Sequence, residues 1–83
     1  MNLDSGLRQR VYSIVSRIAR VPADELSDDL LIRDELSIDS LLALEILAVC
    51  GRELRIEVDE AECVDLETLG EFLSYLESKG GAA

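Results

Sequence analysis

Leu7, Val11, Ile14, Val15 and Ile18 recur at helical spacing, while Arg8, Arg10, Arg17 and Arg20 fall mainly outside that stripe. The pattern predicts an amphipathic helix from Asp4 or Ser5 to about Arg20 with one buried face. Val21-Pro22 stops it, because proline restricts the residue before it and has no N–H for the preceding turn. From Ala23 to Ile38 no period holds. Connections of that length are pinned by their own side chains or have a job, and Leu26, Leu30, Leu31, Ile32 and Leu36 are the candidates for pinning. A short helical turn around Asp24 to Leu26 is expected within it.

A second helix is predicted from Ser40 to Glu53 or Leu54, with Asp39 as its N-cap. It carries two apolar stripes. Ala43, Ile46, Leu47, Cys50 and Leu54 form the longer, uncharged one, which should win the interior. Leu41, Leu44 and Ala48 form the other, flanked by Glu45, Arg52 and Arg55, and should remain exposed as a partner surface. Arg55-Ile56-Glu57-Val58 alternates like a strand but has no partner strand, so it reads as an extended connector. Asp59-Glu60-Ala61-Glu62 has the form of a capped start to a short third helix. Thr68-Leu69-Gly70-Glu71 is a capping box for a last helix, with Leu69, Phe72, Leu73 and Leu76 inward and Tyr75 near the edge. Gly80-Gly81 ends it, leaving Gly81 to Ala83 as a frayed tail of a single domain, residues 1–83.

Composition narrows the function. Of 83 residues, 48% are hydrophobic but 4% aromatic, so a small core must be aliphatic, which favours helix-on-helix packing. A net charge of -10 argues against nucleic acid and anionic membrane as partners, since both need a basic surface. No apolar stretch reaches membrane-span length, and Met1-Asn2-Leu3-Asp4 lacks a signal peptide's basic flank and apolar segment, so the expected location is the cytoplasm. Cys50 and Cys63 then read as reduced, half-buried thiols. The chain has no histidine, which removes the usual general base and the commonest zinc ligand. Neither catalytic residues nor a metal site are assigned.

Asp39-Ser40-Leu41 opens the apolar run Leu41 to Val49, which places Ser40 on a first helical turn at the positive end of the dipole. With Leu36-Ser37-Ile38 before it and Ala43-Leu44-Glu45-Ile46 after it, the segment resembles the modification site of acyl carrier proteins. The joint placement of Leu36, Glu45, Leu54, Val58 and Thr68-Leu69 extends that similarity over essentially the whole chain. The resemblance implies an all-α, small four-helix bundle with a long loop between its first and second helices. It also implies that a phosphopantetheinyl transferase moves 4′-phosphopantetheine from coenzyme A onto Ser40, helped by Asp39 near the transferase metal. The arm's thiol then holds substrates as thioesters, so the protein is a carrier rather than an enzyme.

Several positions depart from the fatty-acid synthesis pattern. Ser37 stands where a glycine usually precedes the motif, Ile38 is larger than the common alanine, and Gly51-Arg52 replaces acidic residues. Arg52 beside Leu41, Leu44, Glu45 and Ala48 offers partners a different electrostatic match. The run Leu-Leu-Ala-Leu-Glu-Ile after the serine also looks like carriers of polyketide and peptide assembly lines. The expectation is a freestanding, monomeric acyl carrier of a polyketide-type or related pathway. Its partners would be an acyltransferase and a ketosynthase, or an adenylating enzyme if it is an aminoacyl or peptidyl carrier. The rival from another class is a helical interaction module that never receives the arm.

Overall fold

Caps and apolar spacing sort the chain into three α-helices in the computed structural model, which describes residues 3–80, with side chains from residue 6 onward. They are α1 (Leu3–Ala19), α2 (Ser40–Leu54) and α3 (Leu69–Ser78), with 3-10 turns at Ala23–Glu25 and Glu60–Cys63. α1 therefore begins slightly before the expected Asp4 or Ser5. It ends before Arg20, whose φ of 62° takes the backbone out of the helix ahead of Val21-Pro22. The tail Gly81 to Ala83 lies outside the described residues.

The third helix expected after Asp59 is a four-residue 3-10 turn, so the described residues hold three α-helices rather than four. Its capping box does not form, because both halves are diverted. The Asp59 N–H donates to the Tyr75 hydroxyl (2.8 Å), and Glu62 accepts from that hydroxyl (2.9 Å) and pairs with Lys79 (2.9 Å). The Asp59 carboxylate accepts from Ala61 N two residues on, which favours a tight turn over an α-helical start. The box at Thr68 does form: Thr68 Oγ1 accepts from Glu71 N, and Glu71 returns to the Thr68 N–H.

One apolar cluster holds the helices together. α1 contributes Leu7, Val11, Ile14 and Val15, α2 contributes Ile46, Leu47 and Cys50, and α3 contributes Leu69, Phe72, Leu73 and Leu76, all buried. Ile18, Ala43 and Leu54 pack against this cluster while only partly buried. The long connection closes it with Leu26, Leu36 and Ile38. Leu30 and Ile32 pack on the core, but Leu31 is exposed, contrary to its expected pinning role. The segment is extended there, in an isolated antiparallel bridge between Leu31 and Thr68, and alternate side chains of extended backbone point to opposite sides. Burying a side chain of this size contributes about 1.5 to 3 kcal/mol, so the connection adds to stability as a helix would.

The connection is also held by polar contacts. Gly70 N donates to Asp28 O (2.7 Å), Leu69 N to Leu30 O (3.1 Å) and Ile32 N to Glu67 O (2.8 Å), tying residues 28–32 to the start of α3. A Cβ at Gly70 would lie 3.1 Å from the Asp28 Cβ and carbonyl oxygen, so glycine permits this approach. From α1, Arg8 grips Asp28 through two nitrogens (2.8 and 3.2 Å), and the Tyr12 hydroxyl donates to the same carboxylate. Both cysteines are free thiols, and burial pushes the Cys50 thiol up to about 12, consistent with a packing role.

Candidate functional site

The site is built where the connection enters α2. Asp39 has extended backbone, and its carboxylate accepts from Leu42 N (2.9 Å) while its carbonyl accepts from Ala43 N (2.9 Å). That makes Ser40 the first residue of α2. Ser40 is exposed, and its hydroxyl forms no hydrogen bond among the described residues. An uncommitted hydroxyl on a first helical turn is accessible to a modifying enzyme, and the turn's free N–H groups and the helix dipole favour an anion there.

Behind Ser40 lies a cavity of about 350 Å³. Buried Val15, Ile38, Ile46, Leu47, Leu69 and Phe72 line it, so all three helices contribute to its wall. Exposed Arg33, Asp39, Ser40, Leu44, Glu60, Ala61 and Val64 also line it and form its mouth. Cys63 and Leu66 complete the side formed by the connector between α2 and α3. A cleft with an apolar wall and a few polar groups at the opening suits an elongated apolar group better than a charged one.

Leu41 is 77% exposed and Leu44 is 43% exposed, and Ala48, Glu45 and Arg52 are exposed as well. Leu44 belongs both to the surface and to the cavity mouth. Glu45 and Arg52 lie at a second groove, toward the end of α1, beside Arg17, Arg20, Leu42 and Val49. Arg55 lies beyond the last turn, where its left-handed backbone (φ 57°) caps α2, so it does not share the helix face with Arg52. No cluster of three or more His, Cys, Asp or Glu suited to a metal occurs among the described residues.

Sequence reasoning brought out Asp39, Ser40 and the exposed apolar stripe but missed the cavity and four of its mouth residues, Arg33, Glu60, Ala61 and Val64. Val64 is 62% exposed, and a β-branched apolar residue within a segment rich in acids is the signal that could have found it.

Residues 9–76 match the profile of a family described as the phosphopantetheine attachment site. The chain belongs to the acyl carrier protein family. It is 35% identical over 60 residues to polyketide-8 synthase acyl carrier protein 1 of Streptomyces avermitilis, covering 72% of this chain and 71% of that protein. Over 64 residues it is 31% identical to the acyl carrier protein of Thermobifida fusca, covering 77% and 81% of the two. Over 72 residues it is 29% identical to that of Thermotoga maritima, covering 87% and 89%. Proteins of this family are carriers rather than enzymes, and their prosthetic group is 4′-phosphopantetheine. The residues present fit that group: a free hydroxyl, a helix N-terminus for its phosphate and an adjoining cleft for an apolar cargo. No helix among the described residues is long and apolar enough to cross a membrane.

Proposed function

We propose that Ser40 is the attachment residue and that the protein carries acyl intermediates of a polyketide-type or related pathway in the cytoplasm, as a monomer. The observation that supports this best is the exposed, uncommitted Ser40 hydroxyl on a turn capped by Asp39, at the mouth of the apolar cavity. Asp39 has two roles in this reading: it orders the first turn, and it offers its outer carboxylate oxygen to the transferase. When bound, the arm supplies a terminal thiol that takes up acyl groups as thioesters. The chain's own residues hold the attachment point rigid, screen apolar cargo from water along the cavity wall and present a surface to partner enzymes.

That surface is assigned to Leu41, Leu44, Glu45, Ala48 and Arg52, an exposed apolar strip with one charge of each sign at its border. Its partners are the phosphopantetheinyl transferase and then loading and processing enzymes such as an acyltransferase and a ketosynthase. The polyketide assignment draws on the likeness to the Streptomyces avermitilis carrier.

Incubation with coenzyme A and a broad-specificity phosphopantetheinyl transferase tests the reading by intact mass. The wild-type chain should gain one phosphopantetheine, and Ser40→Ala should gain none while keeping its helicity, since alanine is well tolerated on a first turn. Labelling that persists in Ser40→Ala would overturn the assignment. An unmodified wild-type chain would favour an interaction module that never receives the arm.

A further inference from the structure

Among the described residues, Arg33 is the only cationic one lining the cavity beside Ser40. It is exposed and has no hydrogen-bond or ion-pair partner among the described residues. Four other cations are committed elsewhere, Arg8 to Asp28, Arg17 to Glu53, Lys79 to Glu62 and Arg10 to the Glu53 carbonyl, and Arg20, Arg52 and Arg55 do not line this cavity. Its acidic neighbours do not hold it. Glu35 accepts from Leu31 N (2.9 Å), and Asp34 makes no ion pair among the described residues.

The backbone fixes where Arg33 stands. Glu35 N and Leu36 N both donate to Leu31 O (3.0 and 3.1 Å), closing a tight turn around Arg33. Ile32 O accepts from Ile38 N (3.2 Å), which brings the residue before Arg33 against a residue two positions before Ser40. Ile32 N is bonded to Glu67 O (2.8 Å), so the turn is held from its other side too. Arg33 and Ser40 thus stand at the mouth of the same cavity.

Charge calls for such a partner. The other ionisable side chains with a formal charge at the cavity are Asp39 and Glu60, both carboxylates, which would repel a phosphodiester at Ser40. Part of the helix N-terminus is already used, because Asp39 takes the Leu42 N–H with its side chain and the Ala43 N–H with its carbonyl. A planar guanidinium, with several donors in a fixed fork, matches phosphate oxygens. We propose that Arg33 is the counter-ion of the phosphodiester linking the arm to Ser40, holding the base of the arm over the cavity mouth. This rests on Ser40 being the attachment residue.

The test loads the full chain from coenzyme A, confirms loading by intact mass, and then records the phosphodiester 31P resonance and the melting temperatures of unloaded and loaded forms. The variants are Arg33→Gln, Arg33→Lys and, as a charge-matched control away from the cavity, Arg20→Gln. In Arg33→Gln the 31P resonance should move from its wild-type position, and the loaded form should melt about 1–5 °C lower relative to the unloaded form than in the wild type. Arg33→Lys should fall between, and Arg20→Gln should follow the wild type. About 0.5 M salt should shrink the difference, because an exposed pair is screened. Should Arg33→Gln resist loading, Arg33→Lys provides the same comparison. Fully loaded Arg33 variants with the wild-type resonance and melting shift would overturn the proposal while leaving Ser40 in place. Equal effects from Arg33→Gln and Arg20→Gln would reduce it to net charge and overturn it as well. A wild-type chain that gains no mass would overturn both readings together.

Discussion

At Ser37 the backbone enters the left-handed region, with φ at 57°, two residues before the Asp39 cap. A side chain with a Cβ is strained there by about 1–2 kcal/mol, whereas glycine is not. The conformation turns the chain from the tight bend at 31–36 into α2, with buried Leu36 and Ile38 on either side. It gives a physical reason for the glycine that the resemblance to acyl carrier proteins implies at this point. Ser37→Gly should therefore stabilise the fold by about 0.5–1 kcal/mol, the relief of strain less the extra entropy glycine gives the unfolded chain. Urea unfolding checks this, and an unchanged or lowered midpoint would show that the serine is at ease where it stands. Ser37 shows how much a single residue reveals before the fold is known: its departure from the pattern is visible in the sequence, but the reason, a positive φ, is not. Asp39 and Ser40 were legible at once, because a cap followed by an apolar run is a local signal that needs no tertiary context.

The elements were legible to the extent that their signals are local. α2 and α3 begin where Asp39 and Thr68 cap them, and the buried stripes of α1, α2 and α3 match the apolar spacing. The Asp59 segment misled because its capping signal is genuine but its partners lie elsewhere, on Tyr75 and Lys79 of the far helix end. The cavity was not legible, since its wall joins residues from all three helices and the connectors. Nor was the role of Asp28, one of six acids in the connection, which alone is gripped by Arg8 and Tyr12 and hydrogen-bonded through its backbone to Gly70. The Arg8 guanidinium, followed by the Tyr12 hydroxyl, holds the Asp28 carboxyl below its ordinary value of 3.8. A carboxylate depressed in the folded state stabilises fully above its unfolded value and loses that contribution as pH falls through the folded one. Stability should therefore be level in this respect down to about pH 4 and decline below it. At the other end burial, then the Asp28 hydrogen bond, pushes Tyr12 up to about 12 from 10.0, so its contribution should fade as pH rises past 10. Asp28→Asn should give a shallower acid limb in a melting series across pH. An acid limb as steep as the wild type's would assign acid sensitivity to other carboxylates, Glu62 beside Lys79 first among them.

On the scale of the whole molecule the charges are unbalanced, with 18 acidic residues against 8 basic ones. Three ion pairs are formed among the described residues, at Arg8–Asp28, Arg17–Glu53 and Lys79–Glu62, all with substantially exposed side chains. Exposed pairs of this kind contribute about 0–1 kcal/mol each, and salt weakens them. Against them stand exposed acids in two groups, Asp24, Glu25, Asp29, Asp34 and Glu35 in the long connection, and Glu57, Asp59, Glu60, Asp65 and Glu67 before α3. The molecule measures 31 × 28 × 19 Å. At about 0.01 M salt the screening length is about 30 Å, so every acid repels every other across the whole protein, whereas near 0.5 M it is about 4 Å and only direct pairs persist. Unfolding relieves the repulsion by spreading the chain, which makes low salt the destabilising condition. Raising sodium chloride from about 0.01 to about 0.5 M should thus stabilise the fold by about 0.5–1 kcal/mol net of the weakened pairs, a rise of several degrees in melting temperature. Arg8→Gln supplies the check on the balance. It removes the pair that salt weakens and adds one more unit of uncompensated negative charge, so its melting temperature should rise with salt more steeply than the wild type's. A wild-type melt that is indifferent to salt, or lowered by it, would mean that the three pairs outweigh the dispersed repulsion.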